Sequence, residues 1–198
     1  MATNGTHAQA LFGGSFSVVL PPHAIDVSDI RELPDNQEVF MHSSTDQSII
    51  IELLEYQGQV PDEDAARYHF DDVTAINGVS AGDGTEVLSV GPISRDQIAL
   101  KELSSAWFLS GRQRVAKFNE QAKNTVNMHL VLFRLPQYTT DILITFNDPT
   151  MISPLSSSRG ADPVQPGGSS ANPAQCWTLE QFRATAHSLR LLNPAVFP

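Results

Sequence analysis

The sequence lacks the features of several protein classes. It contains one cysteine, Cys176, so neither an internal disulfide nor a cysteine-based zinc or iron–sulfur site is expected. No run of about 18 apolar residues occurs, and the N-terminal segment MATNGTHAQA has neither the basic region nor the apolar stretch of a signal peptide. These absences predict a protein of the nucleus and cytoplasm without direct membrane insertion.

Basic residues are also scarce. The chain has 12 Lys and Arg against 22 Asp and Glu, which gives a net charge of −10 and argues against nucleic-acid binding, because phosphates are repelled. The excess is uneven, since residues 26–72 hold 13 acids and only two bases, Arg31 and Arg67. Such a segment is either a well-solvated face or a surface that attracts a basic partner.

Motifs for catalysis and cofactor binding are missing. The chain has no Walker loop, dinucleotide-binding fingerprint, nucleophile elbow or HExxH pair, and its six histidines lack metal-ligand spacing. We therefore predict a non-enzyme with no cofactor and no metal, in which His69 and His129 pack or hydrogen-bond in the core. A hydrolase that joins Ser110 to a histidine remains an alternative, because catalytic triads meet only in space.

Alternating apolar residues predict most of the strands. Residues 11–22 are typical of a strand that stops at two prolines, and residues 36–42 and 48–56 are expected to pair. Residues 126–135 and 139–147 form the clearest hairpin signal. The second strand of each pair is apolar on both faces, so we expect a sheet with helices on both sides.

Two further segments carry strand signals. Residues 85–91, TEVLSVG, predict a short strand, and residues 104–118 predict either a hairpin or one long bulged strand. Together with the strands above, they indicate one α+β domain.

Three segments carry helix signals. Asp26 and Asp29 fit the start of a short helix that Pro34 ends. Residues 61–77 predict an amphipathic helix, with an expected buried stripe of Ala66, Phe70, Val73 and Ile76. A last helix is expected from the N-cap at Thr178 to the break at Asn193, with Gln181 completing a capping box.

The chain is expected to form one domain over residues 1–198. Residues 1–10 are predicted to be a flexible N-terminus. Residues 149–173 contain 14 Pro, Gly or Ser in 25 positions and are predicted to be a flexible loop, because they have little apolar material to offset the entropy of ordering.

Acidic residues are the remaining candidates for function. Asp26 is expected to cap a helix, and Asp35 lies in a Pro-Asp-Asn turn where its side chain can fold back onto the backbone. Glu38 opens a strand and serves no turn, so with Asp35 it could grip a Lys or Arg of a partner. The whole candidate set is Asp26, Asp29, Glu32, Asp35, Glu38, Glu52 and Glu55.

At these residues the sequence resembles a known family. The runs GGSFSVVLPPHAIDVSDIRELPDNQEVF, TDQSIIIELLE, YHFDDV and LFRLPQYTTDILITFN resemble the Mog family of Ran guanine nucleotide release factors. The resemblance implies a PsbP-like α/β/α sandwich, a mostly antiparallel sheet of about six strands flanked by helices. It also implies binding to the small GTPase Ran, nucleotide release and a part in nucleocytoplasmic transport.

The same resemblance implies which residues engage Ran. The family's acidic patch falls on Asp35 and Glu38, with Asp26 and Asp29 close by. Vertebrate members also imply an alternative as a trafficking adaptor for a voltage-gated sodium channel alpha subunit, and the fold implies a structural PsbP-like subunit as another. We expect a monomer.

Overall fold

The computed structural model describes residues 5–79, 84–116, 123–151 and 176–197. Within these ranges, no helix is both long enough and apolar enough to span a bilayer. The strands and helices are β1 (His7–Leu11), β2 (Phe16–Leu20), β3 (Ala24–Asp26), β4 (Gln37–His42), β5 (Ser48–Glu55), α1 (Asp62–Ile76), β6 (Thr85–Pro92), β7 (Ser105–Ala116), β8 (Lys123–Leu135), β9 (Thr140–Met151), α2 (Leu179–His187) and β10 (Arg190–Leu191).

The main sheet has seven strands in the order β3-β4-β5-β9-β8-β7-β6, and each pair of neighbours is antiparallel. This confirms the α+β class, with one strand more than expected. The predicted hairpin is β8 and β9, joined by a 3-10 turn at Pro136–Tyr138. Residues 104–118 are predicted to be either a hairpin or one long bulged strand. Within the described part of this segment, the chain forms one long strand, β7, and a register shift occurs in its pairing with β6.

A small second sheet, in the order β1-β2-β10, changes the prediction for the N-terminal region. Residues 7–10, expected to be flexible, belong to β1, which pairs with β2. The single strand predicted over residues 11–22 is wrong, because a 3-10 turn at Phe12–Gly14 separates the two strands. The reason lies in two adjacent glycines that allow a tight reversal.

The apolar core fills both faces of the main sheet. On one face α1 packs over β7 and β8, and its buried residues include Ala66 and Phe70. On the other face α2 and the small sheet cover β5 and β9. Ile76, placed in the buried stripe of α1 by the sequence, is instead 78% exposed, as the last residue of the helix.

Helix α2 begins as predicted. Thr178 Oγ1 accepts from the Gln181 backbone N–H and the Gln181 side chain accepts from the Thr178 N–H, which is a full capping box. The helix ends at His187, earlier than the predicted break at Asn193, because the chain turns into β10. Of the loop predicted over residues 149–173, residues 149–151 end β9, and residues 152–173 lie outside the described ranges.

Candidate functional site

The segment from Asp26 to Asn36, which we call the acidic turn, connects β3 to β4 at one edge of the main sheet. Its first part is a 3-10 turn, Val27–Asp29. The carboxylate of Asp26 accepts hydrogen bonds from the Ser28 backbone N–H at 2.9 Å and its hydroxyl at 2.7 Å. The predicted cap at Asp26 is therefore confirmed, and it fixes the start of the turn.

Two further contacts hold the acidic turn. Val27 is buried against the domain, and its carbonyl accepts from the N–H groups of Ile30 at 2.9 Å and Arg31 at 3.0 Å. At the other end, the Asn36 amide and backbone carbonyl both bond to the backbone of Leu53 on β5. The turn is thus tied to the sheet at both ends.

The side chains between these ties face solvent. Asp29, Glu32 and Asp35 are exposed, and so is Ile30, whose exposed fraction of 67% is large for an aliphatic residue. The acidic turn therefore presents the apolar side chain of Ile30 among three carboxylates, with the exposed Arg31 next to it.

Glu38 has a different environment from the other candidates. Its Oε1 accepts a hydrogen bond of 2.6 Å from the backbone N–H of Phe12, and the side chain is half-buried. Burial raises the pKa of the Glu38 carboxyl, the hydrogen bond from Phe12 opposes this rise, and the negative charge of Asp26 adds to it. No local pattern indicates this contact, because its two partners are 26 residues apart.

The register shows which acids share a face. Asp26 lies opposite Phe40 of β4. Glu38 is two residues before Phe40, so both side chains point to the same face of the strand. Asp26 and Glu38 are therefore neighbours on the face that α2 and the small sheet cover. Glu52 lies opposite Gln37 on the other face, where its Oε1 accepts a 2.8 Å hydrogen bond from the Gln37 amide.

The candidate acids therefore do not form one patch. Asp29, Glu32 and Asp35 share the acidic turn, with Asp26 and Glu38 at its base. Glu52 faces away from them, and Glu55 is exposed at the end of β5, on the strand end nearest the start of β4. The role of each in binding a partner stays a prediction.

A buried charge cluster lies between the sheet and the start of α1. Arg134 is fully buried and contacts Asp141 at 3.3 Å and Asp62 at 2.6 Å. Asp141 Oδ2 lies 3.0 Å from His69 Nε2, so the expectation of a hydrogen-bonded core histidine is confirmed for His69. Sequence reasoning missed this cluster, although an arginine in VLFRLP and an aspartate in TTDILI, both inside apolar strands, were a usable signal.

The structure also brings Ser110 and His129 together. The Ser110 hydroxyl lies 2.8 Å from His129 Nδ1, and the imidazole stacks between Phe108 and Phe146. Burial lowers the pKa of His129, the nearby Asp148 opposes the shift, and Arg183 reinforces it.

The geometry of this pair is that of a core contact. Within the described ranges, no carboxylate lies within hydrogen-bond distance of the second ring nitrogen of His129, so the orienting group of a triad is not seen there. The side chains of Ser110 and His129 are both buried. In the same ranges, no three His, Cys, Asp or Glu side chains are arranged to hold a metal ion.

Comparison with known proteins gives a consistent family. Residues 9–149 match the family model described as Ran-interacting Mog1 protein. The chain is 56% identical over 190 residues to the Ran guanine nucleotide release factor of Danio rerio, covering 96% of this chain and 99% of that protein. It is 31% identical over 191 residues to the nuclear import protein mog1 of Schizosaccharomyces pombe, covering 94% of this chain and 98% of that one.

A solved structure supports the same fold. The crystal structure of the Saccharomyces cerevisiae Ran-binding protein Mog1p superposes with a TM-score of 0.71 and covers 99% of this chain and 100% of its own. Sequence identity in this alignment is 23%. The likeness therefore extends the family match to the three-dimensional arrangement.

Proposed function

The chain belongs to the Ran-interacting Mog1 family, and we propose from this that it binds the small GTPase Ran and promotes release of the guanine nucleotide from it. The observation that carries this proposal is the 56% sequence identity, over nearly the full length, with a protein named Ran guanine nucleotide release factor. The name of the fission-yeast relative supports a place in nuclear import, and hence a protein of both nucleus and cytoplasm.

Such an activity needs no bond-making group on this chain. A factor that binds nucleotide-free Ran more tightly than loaded Ran must weaken nucleotide binding by the same factor, because coupling between two sites is reciprocal. This mechanism agrees with the predicted absence of catalytic chemistry.

The acidic turn is the surface that we propose meets Ran. Its exposed carboxylates, Asp29, Glu32 and Asp35, project from a backbone that is tied to the sheet at both ends. An acidic surface raises the rate of encounter with a basic partner and holds Lys or Arg side chains once it is bound. Asp26 and Glu38 support this surface from its base. Glu55 lies at the end of β5, near the start of β4.

Charge alone does not supply enough differential affinity. Converting a mostly loaded GTPase into a mostly empty one requires about 5.5 kcal/mol of preference for the empty form, whereas one exposed ion pair contributes roughly 0 to 1 kcal/mol. Ile30 is the apolar group in the acidic turn that could add to these pairs, because it is exposed and its backbone is fixed by Val27. An apolar centre inside a polar rim is the usual arrangement of a binding hot spot.

We expect Ile30→Ser to weaken Ran binding about tenfold, which corresponds to about 1.4 kcal/mol of lost apolar burial. The matched control is Ile76→Ser, since Ile76 is 78% exposed at the end of α1 and lies outside the acidic turn. Titration calorimetry with Ran measures both variants. Equal affinities for the two would remove Ile30 from the interface.

The function itself is tested with Ran carrying a fluorescent guanine nucleotide. We expect the protein to accelerate loss of fluorescence in excess unlabelled GTP, and Asp29→Lys/Asp35→Lys to slow this release by about a hundredfold, through lost pairing and like-charge repulsion. Glu38 is left intact in this variant because it contacts Phe12.

The control for overall charge is Asp71→Lys/Asp72→Lys. Both residues are exposed on α1, so the net charge changes by the same amount at a distant place. Slower release by the first variant alone locates the effect in the acidic turn. If the unaltered protein does not accelerate release, the proposed function is wrong.

Other roles stay predictions. A voltage-gated sodium channel as a second partner, a structural role like that of PsbP and a monomeric state are each open to direct measurement. A pull-down that recovers a channel but no GTPase would favour the adaptor role.

A further inference from the structure

The hairpin between β1 and β2 turns in an uncommon backbone conformation. Phe12, Gly13 and Gly14 all have positive φ angles, of +49°, +64° and +89°. Positive φ is unfavourable for a residue with a Cβ, and Phe12 is such a residue. The turn therefore needs contacts from outside to hold this shape.

Glu38 supplies the shortest of these contacts. Its Oε1 accepts a hydrogen bond from the Phe12 backbone N–H at 2.6 Å, from a half-buried position. The bond that closes the turn itself, from the Ser15 N–H to the Phe12 carbonyl, is 3.3 Å long. Glu38 is thus the main tether between the turn and β4.

This tether places the hairpin turn beside the acidic turn. Glu38 and Asp26 share one face of the sheet, and the charge of Asp26 acts on the Glu38 carboxyl. Gly13 and Gly14 are exposed, and a Cβ built on either would have no heavy atom within 4 Å. Bare backbone therefore faces solvent here, which lets another chain approach closely.

We propose that Glu38 is a positioning residue for Ran binding. Its carboxylate fixes the Phe12–Gly14 turn next to the acidic turn, and the exposed backbone of Gly13 and Gly14 forms part of the surface that meets Ran. This inference rests on the proposed function. It differs from the expectation that Glu38 grips a Lys or Arg directly, because the acceptor oxygen is required and the charge is not.

Two substitutions of Glu38 separate these roles. Glu38→Gln keeps an oxygen that can accept from Phe12 and removes the charge, whereas Glu38→Ala removes both. We expect the Gln variant to bind Ran within about threefold of the unaltered protein and the Ala variant to bind at least about tenfold more weakly. Equal loss in the two variants would overturn the inference in favour of a direct ion pair.

A third substitution alters the turn without touching the carboxylate. Gly14→Ala forces a side chain into a φ of +89°, whereas the control Gly91→Ala adds the same methyl group where the backbone is ordinary and space is open. We expect Gly14→Ala to weaken Ran binding and Gly91→Ala to leave it unchanged. Unchanged binding by Gly14→Ala would exclude the turn from the interface.

Amide hydrogen exchange at Phe12 gives a readout that does not depend on Ran. We expect protection of this amide in the unaltered protein and in Glu38→Gln, and faster exchange in Glu38→Ala. Nucleotide release by the unaltered protein distinguishes a failure of the Glu38 role from a failure of the proposed function. If it releases nucleotide but the Gln and Ala variants are alike, only the role of Glu38 fails, whereas absence of release in the unaltered protein rejects the function itself.

Discussion

Arg134→Ala is expected to destabilise the fold by about 3 to 5 kcal/mol, the range seen when one partner of a buried ion pair is removed. The side chain of Arg134 is fully buried, and Asp141, which it contacts at 3.3 Å, is equally buried. Without the guanidinium, the Asp141 carboxylate would remain in the core with the contacts from His69 and the Gln57 backbone N–H. An uncompensated buried charge is among the most unfavourable changes a core can undergo.

The loss would extend beyond this ion pair. The Arg134 guanidinium also donates to the backbone carbonyls of Gln57 at 2.6 Å and Val60 at 2.8 Å, and it lies 4.4 Å from the centre of the Tyr56 ring. These contacts tie the connection between β5 and α1 to the sheet. We therefore expect the start of α1 to loosen in the variant.

Arg112→Ala is the matched control for this prediction. Arg112 is exposed on β7, and its guanidinium lies 3.9 Å from the carboxylate of Glu86, which is also exposed. An exposed pair of this kind contributes about 0 to 1 kcal/mol. Urea unfolding of both variants measures the difference, and a similar free energy of unfolding for the two would mean that the buried cluster contributes no more than a surface pair.

Local signals were sufficient for elements whose contacts are close in the chain. The capping box at Thr178 and Gln181 joins residues three positions apart, and the hairpin of β8 and β9 joins adjacent strands. Alternation of apolar residues also placed β4 and β5 in one pair. In these cases the pattern and the tertiary structure favour the same conformation.

Contacts between distant residues account for two of the differences. The apolar pattern predicts strand through the Phe12–Gly14 turn. Gly13 and Gly14 permit the reversal, but the group that accepts from the Phe12 N–H is Glu38, 26 positions away. For the same reason the sequence predicts Glu38 to be a free carboxylate at the start of a strand. Its charge and its position in the chain make Glu38 a candidate for partner binding. Its half-buried state depends on how the small sheet packs against β4.

The acidic set illustrates the same limit. The candidate acids follow one another along the chain, yet Glu52 and Glu38 face opposite sides of the sheet. Glu52 lies opposite Gln37, and successive side chains of a strand point to opposite faces. Asp29, Glu32 and Asp35 stay together because they occupy one connection and not a strand. Proximity in sequence was therefore a reliable guide only inside the acidic turn.

Packing between α1 and β7 allows a second large effect to be predicted. Phe70 on α1 is buried, and its ring lies directly over Gly111 of β7. A Cβ added at Gly111 would lie 2.6 Å from Phe70 Cε2, 2.7 Å from Cζ and 3.0 Å from the Glu86 carbonyl oxygen. The absence of a side chain at Gly111 is thus what admits the ring.

We expect Phe70→Ala to destabilise the protein by about 3 to 5 kcal/mol through the cavity it leaves, and Gly111→Ala by about 1 to 3 kcal/mol through overpacking. The two changes should compensate in part, since the methyl group at Gly111 would enter space that the ring has vacated. The double variant is therefore expected to lose less free energy of unfolding than the two single losses combined. Strict additivity in a urea-unfolding cycle would contradict this, and would mean that α1 moves away from β7 to accommodate the methyl group.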